Sequence, residues 1–127
     1  MNSYISDAFN QQTNGARLLR VFENMASTIT REYEKEINEF IDRNGYAPSF
    51  VELFEKFKGL NADLNAKASL ILNDYRESKG HKSIQLTTGC KRIMRNSVNE
   101  FLQHVKILLN QKGFSATAFF KMTFKDL

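Results

Sequence analysis

The sequence predicts a mainly α chain: a four-helix arrangement with a long amphipathic N-terminal helix and a short C-terminal strand. Three observations carry this. Apolar residues recur at steps of three and four through four separate segments, the spacing of one helix face. One proline and six glycines in 127 residues leave few breaks, which favours long helices over many short strands. Only near the end does the period change to two, where Phe120, Met122 and Phe124 alternate with Lys121, Thr123 and Lys125.

The first helix is read over residues 15–44, where Leu18, Phe22, Met25, Ile29, Tyr33, Ile37 and Phe40 fall on one side. Asn44-Gly45 supplies the left-handed stop that ends helices, and Pro48 blocks continuation. Ser49 followed by Glu52 has the spacing of a capping box, in which side chain and backbone satisfy each other's orphan groups. That box opens a short second helix whose inner residues are Leu53, Phe54 and Phe57, expected to stop at Gly59. Asn61 is then the expected cap of a third helix, with Leu64, Ala68, Ile71 and Tyr75 inward and Gly80 at its end. "HKSIQL" (81–86) reads as loop. Thr87 or Thr88 caps a fourth helix that runs through Met94, Val98, Phe101, Leu102, Val105, Leu108 and Leu109 to Gly113.

Composition narrows the function classes. The chain is 42% hydrophobic and 25% charged, an ordinary globular balance, and eleven phenylalanines supply core bulk. A single cysteine, Cys90, cannot form an internal disulfide, and no apolar run suits a signal peptide or a membrane span, so the expectation is a cytoplasmic protein without a membrane role. Catalytic signatures are lacking: no phosphate-cradling glycine loop, no GxSxG elbow, no HExxH. His81, His104 and Cys90 do not make a zinc ligand set, and the run Glu32, Glu34, Glu36, Glu39 reads as a solvated helix face. No enzyme activity, metal or cofactor is expected.

Charge is distributed unevenly. Residues 1–78 hold nine Lys/Arg against twelve Asp/Glu, and residues 79–127 hold nine against two. Within the second part, "KGHKSIQLTTGCKRIMR" (79–95) carries five cations and no acid. Placed on a helix, Lys91, Arg92, Arg95 and Asn96 occupy the first two turns, away from the stripe Met94, Val98, Phe101 and Val105. Amides at a helix start favour an anion, Thr88 adds a hydroxyl, and Lys79, His81 and Lys82 on the preceding loop can follow an adjacent backbone. Arginine pairs with phosphates or guanine edges, and asparagine with adenine. The expected DNA-binding set is therefore Lys79, His81, Lys82, Thr88, Lys91, Arg92, Arg95 and Asn96, with duplex DNA as partner. Arg17 and Arg20, in the acidic part, are expected to stay outside it.

Two stretches, "MRNSVNEFLQHV" (94–105) and "KMTFKDL" (121–127), resemble the second helix and following strand of the core-binding domain of tyrosine recombinases, the phage-type integrases. "FIDRNGYAPSFVELFEKFKG" (40–59) is similar to the segment joining the arm-binding region to that domain in Bacteroides-type integrases. The resemblance covers residues 37–127 without one diagnostic motif. It departs from the pattern at Met94, where an aromatic is usual, and the catalytic Arg, His and Tyr of the family have no counterpart. It implies residues 1–59 as a helical N-terminal extension and 60–127 as a truncated SAM-like core-binding domain, acting as a non-catalytic DNA-binding module. DNA contacts by position would be Thr88, Lys91, Arg92 and Arg95. Two alternatives stay open. One is a winged-helix regulator, on the likeness of "GYAPS" to the turn of a repressor domain, although residues 61–79 balance three acids with three cations. The other is a helical adaptor with no nucleic-acid role, in which the helix at 15–44 docks a partner or a second copy of the chain.

Overall fold

A computed structural model of the chain describes residues 3–79 and 84–116, with side chains described over 16–73 and 87–116. Three helices account for nearly all of it: α1 (Ser3–Asn44), α2 (Phe50–Lys79) and α3 (Ile84–Gln111). The expected fourth helix is not there, because the second and third are one. α2 passes through Gly59 and Asn61 without a break, and its buried side chains Leu53, Phe57, Leu60, Leu64, Ala68 and Ile71 keep helical spacing across both. Gly59 is a place of close packing, not a stop: a methyl group there would lie 3.1 Å from the Tyr33 hydroxyl. α3 also starts earlier than expected, with Ile84, Gln85 and Leu86 helical instead of looped. The expected C-terminal strand falls outside the described residues, and none of the described residues forms a strand.

The helix ends obey local chemistry. α1 stops at Gly45, whose φ of 74° is left-handed and whose N–H donates to the Ile41 carbonyl at 2.8 Å. The Ser49–Glu52 box forms as read, with the Glu52 N–H donating to Ser49 Oγ and the Ser49 N–H to Glu52 Oε2, each at 3.2 Å. α3 ends in a Schellman motif: Gly113 has φ 84°, its N–H donates to the Asn110 carbonyl, and the Phe114 N–H donates to the Leu109 carbonyl. Phe114 then folds back on the core and Ala116 is buried.

Cross-helix contacts set the topology. Between α1 and α2, Glu36 pairs with Lys56, and Tyr33 meets Gly59 and donates to Asp63, so the two run antiparallel. Between α1 and α3, Leu19 meets Gly89, Glu34 meets His104 and Asp42 meets Lys112. Each of those pairs is separated by 70 positions, so α1 and α3 run parallel in a fixed register. The result is an up-down-up bundle. Its core is one cluster in which Phe22, Phe57 and Phe101, one from each helix, are fully buried with Leu60, Leu64, Val98 and Val105. Residues 59 and 60 both lie within α2, and all three helices feed this core. Among the described residues, no helix is long and apolar enough to cross a membrane.

Candidate nucleic-acid interface

α3 divides by face as its sequence dictates. Cys90, Ile93, Met94, Val98, Phe101, Leu102, Val105 and Leu109 turn inward, while Thr88, Lys91, Arg92, Arg95 and Asn96 are exposed on the other side. The expected buried stripe and the expected solvent-facing cations of the helix start are thus separate. Lys79 ends α2, where its side chain is not described, and His81 and Lys82 lie outside the described residues.

The electrostatics of the two ends of the bundle differ. Ion pairs of the described residues gather toward the end where α1 finishes: Glu36–Lys56, Glu34–His104 at 2.7 Å, Asp42–Lys112 at 2.6 Å, Lys35–Glu39 at 3.8 Å and Glu55–Lys58 at 3.9 Å. At the end where α3 begins, Lys91 and Arg92 stand exposed with no carboxylate partner among the described residues. Solvated cations that are not tied up in ion pairs keep more of their field for an incoming anion.

The groups once weighed for chemistry are spoken for. Cys90 is 1% exposed within the core, and burial pushes its thiol up from the ordinary range, away from the reactive thiolate. His104 is engaged with Glu34 across α1 and α3, beside an open groove of about 410 Å³ that Arg31, Lys35, Ile107 and Leu108 also line. Among the described residues no group of three or more His, Cys, Asp or Glu is placed to hold a metal ion.

One juxtaposition had no signal in local periodicity. The 70-residue register sets Arg17 and Arg20 of α1 level with Thr87 and Cys90 of α3, so these arginines share an end with Lys91 and Arg92. Sequence distance had assigned them to the acidic half. No protein-family model, no curated protein and no solved structure matches the chain.

Proposed function

We propose that the protein binds duplex DNA through the exposed start of α3, chiefly by phosphate contacts from Lys91, Arg92 and Arg95, with Thr88 and Asn96 beside them. The observation that carries this reading is the exposure of Lys91 and Arg92 without carboxylate partners, at the bundle end away from the ion pairs. Lys79, His81 and Lys82 belong to the same proposed site by sequence position. The bundle supplies the rigid base: Met94, Val98 and Phe101 anchor α3 from below, so its outward face keeps a fixed shape. The narrower reading, a non-catalytic module of a site-specific tyrosine recombinase, rests on the resemblance of residues 37–127 alone.

Fluorescence anisotropy with a labelled duplex, repeated across salt concentrations, tests this. With about four phosphates neutralised, log affinity falls with log salt at a slope near −3.6, at ~0.9 per contact. Arg92→Ala with Arg95→Ala weakens binding and flattens the slope by up to ~1.8. Affinity indifferent to salt would remove the reading, and equal affinity for poly-glutamate would move the partner to an acidic protein. A second reading, the protein-binding adaptor, draws on Tyr46, Phe50 and Val51, which lie exposed together where α1 turns into α2.

A further inference from the structure

Leu19 and Gly89 mark the point where α1 and α3 come closest near the basic end. A methyl group on Gly89 would stand 2.7 Å from Leu19 Cδ2, so the glycine lets the Leu19 side chain pack directly on the α3 backbone. Arg20 adjoins Leu19 in sequence, and Arg92 follows Gly89 by three residues, on the solvent side of α3.

Helical phase tells which flank of α1 the arginines occupy. Arg20 precedes Arg31 by eleven residues, three turns, and Arg17 precedes Lys35 by eighteen, five turns, so each shares a line with its counterpart. Arg31 and Lys35 both line the groove between α1 and α3. Asn96 likewise precedes Ile107, on the opposite wall of that groove, by three turns. Followed toward the basic end, the same groove is therefore walled by Arg17 and Arg20 on one side and by Asn96 on the other, with Arg92 one turn before Asn96 on the solvent side of α3. Arg17, Arg20 and Arg92 are exposed and have no carboxylate partner among the described residues. The acids on this flank, Glu23 and Glu100, are exposed as well and pair with none of them.

We infer that the nucleic-acid surface spans two parallel helices, with Arg17 and Arg20 of α1 contacting the phosphate backbone together with Arg92 of α3. The inference rests on the duplex-binding reading and extends it to a helix that reading leaves out. From the level of Arg17 to that of Arg95 the surface runs about 12 Å along the bundle, at ~1.5 Å per residue. Across it, packed helices stand about 8–10 Å apart. Duplex DNA presents a charge every ~1.7 Å of its axis, so a footprint of that length faces several phosphates at once, more than α3 alone has cations to meet.

The test uses the full chain, a labelled duplex and three double variants of equal charge change: Arg17→Ala/Arg20→Ala, Arg92→Ala/Arg95→Ala, and Lys56→Ala/Lys58→Ala at the other end. Circular dichroism verifies that each folds. The inference expects the α1 pair to flatten the salt slope by about 1.8, a loss of up to about 60-fold in affinity near 0.1 M salt. The Lys56/Lys58 pair should change it little. Losses from the α3 pair alone would overturn the two-helix surface and leave the single-helix reading standing. Equal losses from all three pairs would mean that net charge alone acts, which overturns the inference, and no loss from any pair overturns both.

Discussion

Gly59→Ala turns the continuity of α2 into a sign. Inside a helix, alanine is favoured over glycine by about 1 kcal/mol, because glycine gives up more backbone freedom. Against this stands Tyr33, whose hydroxyl would lie 3.1 Å from the new methyl carbon, with ring carbons at 3.5 and 3.7 Å. The ring is held by its hydrogen bond to Asp63 and by edge packing on Phe101, with centroids 6.4 Å apart and planes at 82°. It is only half-buried, so it can tilt by the few tenths of an ångström required, at a cost of about 0.5 kcal/mol for a modest departure from its rotamer. The expected net effect is stabilisation by about 0.5 kcal/mol. In a Tyr33→Phe background the closest atom is gone and the remaining distances are ordinary, so the same substitution should give the whole ~1 kcal/mol. Tyr33→Phe by itself should cost about 0.5–1.5 kcal/mol through the lost hydrogen bond. Urea unfolding of the four proteins measures the cycle. If the chain instead turned at Gly59 in a left-handed conformation, alanine would cost about 1–2 kcal/mol in both backgrounds, and that result would refute a continuous α2.

Cys90, 1% exposed, should react with a thiol reagent at least about 1000-fold more slowly in native buffer than in denaturant, and comparable rates would contradict its burial. Burial first, then the hydrogen bond to Asp63, raise the Tyr33 phenol above its ordinary range. Its neutral form is thus favoured in the folded state, so this contribution is complete below the unfolded value near ~10 and is lost as pH climbs from there toward the higher folded value. Denaturation midpoints followed upward from pH 9 should therefore fall less steeply in Tyr33→Phe, and parallel curves would deny the coupling. Asn61 holds a buried Oδ1 without a hydrogen-bond partner, in the middle of a helix. Asn61→Ala should stabilise by about 0.5–1 kcal/mol, through better helix propensity and removal of the orphaned acceptor, and a loss of stability in urea would show that this amide is needed.

The helix faces were legible because burial follows the same period as the backbone. Phe22, Ile37, Val98, Phe101 and Val105 sit inside where their spacing put them, and Gly45 and the Ser49–Glu52 box end and start helices as their chemistry requires. Gly59 misled for a physical reason. Glycine lacks a Cβ, which permits a left-handed stop but equally permits a neighbour to come close, and here Tyr33 uses the space. Asn61, taken for a cap, follows from the same error. Gly89 serves in the same way, as a site of close contact with Leu19. What no periodicity could supply is the partner of each face. That α1 lies parallel to α3, offset by 70 residues, is a property of packing across the whole bundle.

That register changes what the charge distribution means. Divided by sequence, the chain has an acidic first part and a basic second part, which excludes Arg17 and Arg20 from the basic site. Divided by position in the bundle, residues 3–27, 65–79 and 84–97 come together at one end and hold eight Lys/Arg against four Asp/Glu. Residues 28–64 and 98–116 form the other end, with seven against nine. The described residues of the two ends therefore carry about +4 and −2, a difference that a single net charge for the chain hides. α3, of 28 residues, is about 42 Å long, so the centres of the two ends lie roughly 20 Å apart. At physiological ionic strength charges are screened beyond about 8 Å, and the acids of the far end cannot cancel the field of the near one. An anion arriving at the start of α3 meets cations of two helices that outnumber the acids of the same end two to one. For that reason the arginines of α1, which the linear sequence places among acids, are the more discriminating test of what this bundle binds.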